Sequence, residues 1–192
     1  MSREDNLQDV VAAYDILASQ PGVDTRAIAV VGSSYGGYLA AILTSLRAVR
    51  WLALRVPALY KDADWDLPKE QLREQQRLEA YRRQPVSPDE SVALKACASF
   101  GGDVLLVESE HDATVPHQVI VNYREACATA HSLTYRVIEG ADHSLSDRRW
   151  QQAYTTLLVN WLSEMVGGAR GDWRPDSDPR RPPAAEQPAG RA

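Results

Sequence analysis

The 192-residue sequence predicts an α/β fold: a mostly parallel sheet of about four strands, flanked by helices and carrying a helical cap insertion. Two observations point there. Short apolar runs alternate along the chain with longer segments whose apolar residues recur at helical spacing. The first of these runs, Ala27 to Val31, lacks the polar alternation of a half-solvated strand, so it is expected to be covered on both faces of a parallel sheet.

In chain order, Leu7, Val10, Val11, Tyr14, Leu17 and Ala18 mark a first helix that stops at Pro21-Gly22. The first strand follows, then a helix over about Tyr35–Leu46, then a second strand in "WLALRVP", Trp51 to Pro57. From Tyr60 the texture changes. Residues 60–86 are highly charged with sparse apolar positions, as suits a helical excursion lying over the domain as a cap. Ser87 and Glu90 form a capping box with Pro88 at the first helical position, which predicts a helix to about Ser99. "DVLLVESE" is the third strand, Val119 to Ala130 a helix, and "LTYRVIEG" the fourth strand. Trp150, Ala153, Tyr154, Leu157, Leu158, Trp161 and Met165 make the strongest helical stripe in the chain. Residues 1–166 thus read as one unit. Residues 167–192, rich in Pro, Gly and charge, cannot bury a face and read as a disordered tail.

An apolar content of 44% suffices for a core, and a net charge of −5 supplies no attraction to nucleic acid or an anionic membrane. No apolar run approaches the roughly 20 residues that span a bilayer. "MSREDNLQDVV" carries no secretory signal, and Cys97 and Cys127 read as free thiols, so a reduced cytoplasmic setting is expected. No cluster of His, Asp and Glu has ligand spacing; neither metal nor cofactor is expected.

The chemistry gathers at "IAVVGSSYGGYLA". Gly32-Ser33-Ser34-Tyr35-Gly36 fits G-x-S-x-G between a predicted strand and a predicted helix, the context that gives the motif meaning. A turn that sharp leaves little room beside its central residue, so both flanking positions are expected to need glycine. It lifts the Ser34 hydroxyl clear of the sheet at a helix amino terminus, where the Tyr35 amide can face a developing oxyanion. A serine needs a base, and the base needs orienting. Of four histidines, His143 lies just past the last strand, on the sheet edge that carries Ser34. "VESEHDATVPHQV" offers Glu108, Glu110 and Asp112 as the acid. Glu108 comes too early, still within the strand; Asp112 is preferred and Glu110 is second. The order Ser34, Asp112, His143 is nucleophile, acid, base.

These elements resemble the α/β-hydrolase superfamily, and within it the prolyl-oligopeptidase and dienelactone-hydrolase-like branch. "GSSYGGYLA" is similar to that branch's G-x-S-Y-G-G-Y element, "SEHDATVPHQ" to its G-x-x-D-x-x-V-P element and "EGADHSL" to its G-x-x-H element. Ser109 stands where the branch often has glycine. The resemblance implies Ser34 as nucleophile, Asp112 as acid, His143 as base and the Tyr35 amide as an oxyanion donor. It maps onto the second half of a complete domain, which normally has eight strands. The front half would pair with Ala27–Val31 and supply the second oxyanion donor, and no H-G-G-like segment occurs here. Losing one donor costs about 3–4 kcal/mol of transition-state stabilisation. A late-starting gene model is the favoured explanation, beside a true fragment or a protein completed by a partner. The exposed strand edge would invite another chain, including a second copy.

The resulting expectation is a serine hydrolase acting on an ester, thioester or amide, esterase-like on a small acyl substrate. Trp65 and Leu67 of the cap are possible acyl contacts. A peptidase of the prolyl-oligopeptidase type and an inactive scaffold are the alternatives.

Overall fold

A computed structural model describes residues 2–65 and 77–171. Leu67 and the tail from residue 172 lie outside the described residues, as does the central part of the cap-like segment.

Helix α1 (Arg3–Ala18) opens on a capping box in which Ser2 Oγ accepts from the Asp5 amide (3.1 Å) and the Asp5 carboxylate accepts from the Ser2 amide (2.8 Å). Strands β1 (Ala29–Ser33), β2 (Trp51–Arg55), β3 (Asp103–Ser109) and β4 (Ser132–Ile138) follow in order, separated by α2 (Tyr35–Leu43), then α3 (Arg77–Arg82) and α4 (Val92–Ala98), then α5 (His117–Ala126). Helix α6 (Arg148–Gly171) closes the described chain, so the boundary read at residue 167 falls inside a helix. The sheet is wholly parallel, in the order β1-β2-β3-β4. Four parallel strands flanked by helices match the fold class the periodicity predicts.

The strands' period of two sorts their side chains to two layers. Leu52, Leu54, Val104 and Leu106 meet α2, α4 and α5 in the larger core, which takes in Tyr38, Leu94, Ile120 and Tyr123. Trp51, Ala53, Leu105 and Val107 meet α6 through Trp161, Tyr154 and Leu157 on the opposite face. Cys97 and Cys127 are buried, free, hydrogen-bonded neighbours; that contact, and then burial, push the Cys97 thiol up, well above its ordinary value.

Two expectations are corrected here. β1 is covered on one face only: Val31 is 47% exposed, and Ala29 and Ser33 beside it are exposed too. Their face lies on the α6 side, yet the apolar cluster under α6 takes its strand residues from β2, β3 and β4 and none from β1. The apolar run reflects one buried face plus an edge. The Ser87 capping box is real, with the Glu90 carboxylate accepting from the Ser87 amide at 3.0 Å. It closes only a 3₁₀ turn, Pro88–Glu90, and the helix begins at Val92 under a cap from Ser91. No helix among the described residues is long and apolar enough to cross a membrane.

Candidate active site

Ser34 sits between β1 and α2 with φ 53° and ψ −119°, a conformation that disfavours any residue with a Cβ. Three backbone hydrogen bonds hold it there. Its N–H donates to Arg55 O (2.9 Å), and its carbonyl accepts from the Tyr38 amide (3.2 Å) and the Ala58 amide (2.9 Å). The glycines divide differently from the motif-based expectation. A Cβ at Gly32 would lie 2.5 Å from Gly36 O, 2.7 Å from Gly37 Cα and 2.8 Å from Ala40 Cβ. At Gly37 it would press on Pro57 at 3.1 Å. Gly36 faces open space and needs no glycine for room. The close approach is therefore between the strand end at Gly32 and the start of α2, where Gly36 contributes its carbonyl oxygen and not the lack of a side chain. Gly32→Ala is expected to destabilise the fold by about 3 kcal/mol. Gly36→Ala is expected to be neutral or to stabilise by about 0.5–1 kcal/mol, since alanine is the better helix former. Urea unfolding of the two variants checks both.

The acid loop leaves β3 at Ser109. Asp112 turns its Oδ1 inward to accept from the amides of Thr114 and Val115, both at 2.7 Å. That fixes the other oxygen, Oδ2, on His143 Nδ1 at 2.6 Å. His143 Nε2 lies 3.0 Å from Ser34 Oγ. Burial works against ionisation of Asp112. The His143 hydrogen bond and the two amides outweigh it and hold the carboxyl below its ordinary value. An ionised carboxylate only accepts, so Nδ1 must carry the proton and Nε2 is left to accept from the serine hydroxyl. The array can draw a proton from Ser34 and hold the resulting imidazolium against a buried anion.

The loops are laced to one another. Glu110 N donates to Ile138 O (3.2 Å) and His111 N to Ala141 O (2.8 Å). Glu110, the second choice for the acid, spends its carboxylate on the Gly140 amide at 2.7 Å. Glu108 is buried and accepts from Tyr135 Oη and His117 Nδ1. His111, His117 and His131 have largely exposed side chains, with Glu110, Glu108 and Asp103 as their respective neighbours. Val56 (φ 38°) and Leu145 (φ 50°) are the other non-glycine residues at positive φ among those described. With Ser34 they follow three of the four strands, so backbone strain gathers at the carboxyl edge of the sheet.

Tyr35 opens α2, which puts its amide directly after Ser34 at the positive end of the helix. Its ring meets Tyr60 edge-on at 5.7 Å, and Tyr60 meets Tyr38 at 5.1 Å. The fully buried Arg3 lies over the Tyr60 and Trp65 rings (5.6 and 5.2 Å) and donates to Tyr38 Oη and Lys61 O. Trp65 thus adjoins the aromatic cluster next to Ser34, with its indole N–H tied to Glu4 at 3.0 Å. Arg82 pins the described end of the cap to the body through Leu59 O (3.0 Å) and Thr114 O (3.2 Å).

Two residues went unread in the sequence. Arg55 ends an otherwise apolar strand, and a charge in such a run is a signal that a partner waits for it. It donates to Ser109 Oγ (3.3 Å) and to His143 O (3.0 Å), so the serine that departs from the usual glycine has a bonding role here. Tyr154 looked like one more position in the stripe of α6, but its ring lies beside the Arg55 guanidinium. A cleft of about 460 Å³ lined by Thr44, Arg47, Arg50 and Gly102 opens at the amino ends of the strands, at the opposite edge from Ser34. Among the described residues no group of three or more His, Cys, Asp or Glu could hold a metal ion.

The model of the prolyl oligopeptidase family matches residues 2–169. The chain belongs to the prolyl oligopeptidase family. Among solved structures, this family member is similar to Porphyromonas gingivalis dipeptidyl peptidase 4, with a TM-score of 0.60 and 20% identity over 82% of this chain and 22% of that one. Pyrococcus horikoshii acylaminoacyl peptidase matches at TM-score 0.58 and 17% identity, over 82% of this chain and 27% of the other. The esterase domain from a Rhodothermus marinus protein matches at 0.59 and 18%, over 81% of this chain and 66% of the other. These identities speak for the fold, and this family member spans about a quarter of the two peptidases' length. Among curated proteins none matches. The neighbours, two peptidases and an esterase domain, share the fold of this family member.

Proposed function

We propose that the chain is a serine hydrolase working through an acyl-enzyme. Ser34 attacks an ester, thioester or amide carbonyl. His143 takes the hydroxyl proton and returns it to the leaving group, Asp112 holds the imidazole, and the Tyr35 amide donates to the oxyanion. Water then repeats the sequence to release the acid. The observation that carries this is the continuous relay, 2.6 Å from Asp112 to His143 and 3.0 Å from His143 to Ser34, ending on a serine held at positive φ.

The substrate reading is a small acyl ester. The half-buried Tyr35, the residue after Ser34, has its ring backed by the buried Tyr60 ring, an apolar body suited to an acyl group. The family match favours a second reading, a peptidase. Hydrolysis of short and long p-nitrophenyl esters beside aminoacyl anilides ranks the two. The ester reading expects kcat/KM for a short ester to exceed that for any anilide by at least about tenfold, some 1.4 kcal/mol. An anilide at parity or above selects the peptidase. A folded chain that reacts with neither substrate class nor a fluorophosphonate probe is a scaffold.

A further inference from the structure

We propose that Arg55 is a positioning residue for this reaction: its buried guanidinium ties the His143 loop to the acid loop and sets the imidazole in register with Ser34. The inference rests on the serine-hydrolase reading above.

Arg55 is the last residue of β2 and only 8% exposed, on the face that otherwise carries Trp51 and Ala53. Placing a guanidinium there for packing alone would be unfavourable. Desolvating a charge is costly, and an aliphatic side chain would fill the same space without that penalty. What the arginine adds is a rigid fork of donors. One nitrogen, Nη1, reaches Ser109 Oγ at the root of the acid loop (3.3 Å), and the other, Nη2, reaches the backbone carbonyl of His143 itself (3.0 Å). The Tyr154 ring, 5.6 Å from the guanidinium carbon, covers it from α6. Burial disfavours the charge, while Tyr154 and the carboxylates of Asp112 and Asp142 favour it.

The His143 loop needs such a tether. It carries the positive φ at Leu145, and its histidine must present Nε2 within hydrogen-bond reach of an oxygen on another loop. A displacement of about 1 Å at a reacting group costs on the order of 100-fold in rate. Ser34 is tied to the same residue from the other side, since its N–H donates to Arg55 O. One residue therefore references both the nucleophile, through its backbone, and the base, through its side chain. Lysine, with one compact ammonium, cannot span the two acceptors in the same way.

The test uses the full chain with Arg55→Lys, Arg55→Met and Arg55→Ala, assayed on a short p-nitrophenyl ester. Rates are expressed per active site by fluorophosphonate titration. The expected result is a kcat 10- to 100-fold lower in all three, with KM within threefold of the parent and unfolding midpoints showing folded protein. Millimolar guanidinium ion should recover at least about fivefold of the lost kcat in Arg55→Ala and none in the parent. Folded variants with unchanged kcat per site overturn the inference. So does a loss shared equally by kcat and titratable sites with no guanidinium recovery, which marks a structural residue only. If Arg55→Ala and Arg55→Met fail to fold, Arg55→Lys keeps the stem and charge and decides alone through its kcat against KM. A parent chain that is unreactive toward the fluorophosphonate sinks the underlying hydrolase reading instead, a result distinct from parent activity with indifferent variants.

Discussion

Ser34→Ala is expected to abolish fluorophosphonate labelling and to lower ester hydrolysis by at least about 10⁴-fold. The hydroxyl oxygen is the only atom removed, and the three backbone hydrogen bonds that hold residue 34 do not involve it. The loss should therefore appear in kcat with little change in circular dichroism or unfolding midpoint. Ser34→Gly is expected to be equally inactive yet more stable, by about 1 kcal/mol, because glycine adopts φ 53° without a Cβ penalty. Urea denaturation of parent, alanine and glycine forms separates the two effects. A glycine variant less stable than the parent would show that the turn is not strained, and surviving labelling in the alanine form would remove Ser34 from the chemistry.

Asp112→Asn is expected to cost about 10⁴-fold in kcat, and the hydrogen bonds say why. Oδ1 accepts from two backbone amides, so an asparagine in the same place must turn its carbonyl oxygen to Thr114 and Val115. Its NH₂ group then faces His143 Nδ1, which has to accept. The ring proton moves to Nε2, and the atom facing Ser34 becomes a donor with no capacity to take the hydroxyl proton. The substitution also has a signature in stability. The carboxyl of Asp112 is held below its ordinary value of 3.8 in the folded chain. Its contribution to stability is fully present above that unfolded value and fades as pH falls through the lower folded value. The parent should thus outlast the asparagine variant at neutral pH, and the gap should close on acidification below about pH 4. Unfolding midpoints of both proteins between pH 7 and pH 3 provide the measurement. A gap that widens towards low pH would contradict the assignment of Asp112 as a buried, ionised acceptor.

Much of this arrangement was legible before any coordinates. The strand–turn–helix around Ser34 was readable because a glycine-flanked serine between an apolar run and a helical stripe has few alternatives. His143 was readable because its loop follows the last strand, and parallel strands all deliver their carboxyl ends to one edge. The preference for Asp112 over Glu108 and Glu110 followed from counting residues past the sheet. What that count could not show is that Glu108 is spent on His117 and Tyr135, or Glu110 on Gly140. These partners are 9 to 30 residues away in sequence. The expectation at Gly36 misjudged a distance of the same kind. Which glycine meets a neighbouring atom depends on how α2 docks on β1, and that contact falls at Gly32 and Gly37.

By itself, then, the sequence determined the alternation of strands and helices, the mostly parallel character of the sheet and the rim on which the reactive residues were expected to gather, because hydrophobic periodicity and turn chemistry are local properties of the chain. Only the tertiary structure decided which carboxylate meets the imidazole, that β1 leaves one face bare, and that a buried arginine from the second strand grips the histidine's own carbonyl. Those outcomes depend on groups 31, 54 and 88 residues apart, such as His143 with Asp112 and the Arg55 guanidinium with Ser109 Oγ and the His143 carbonyl, being packed to within a few tenths of an ångström. Such precision comes from three-dimensional packing and leaves no periodic trace in the chain.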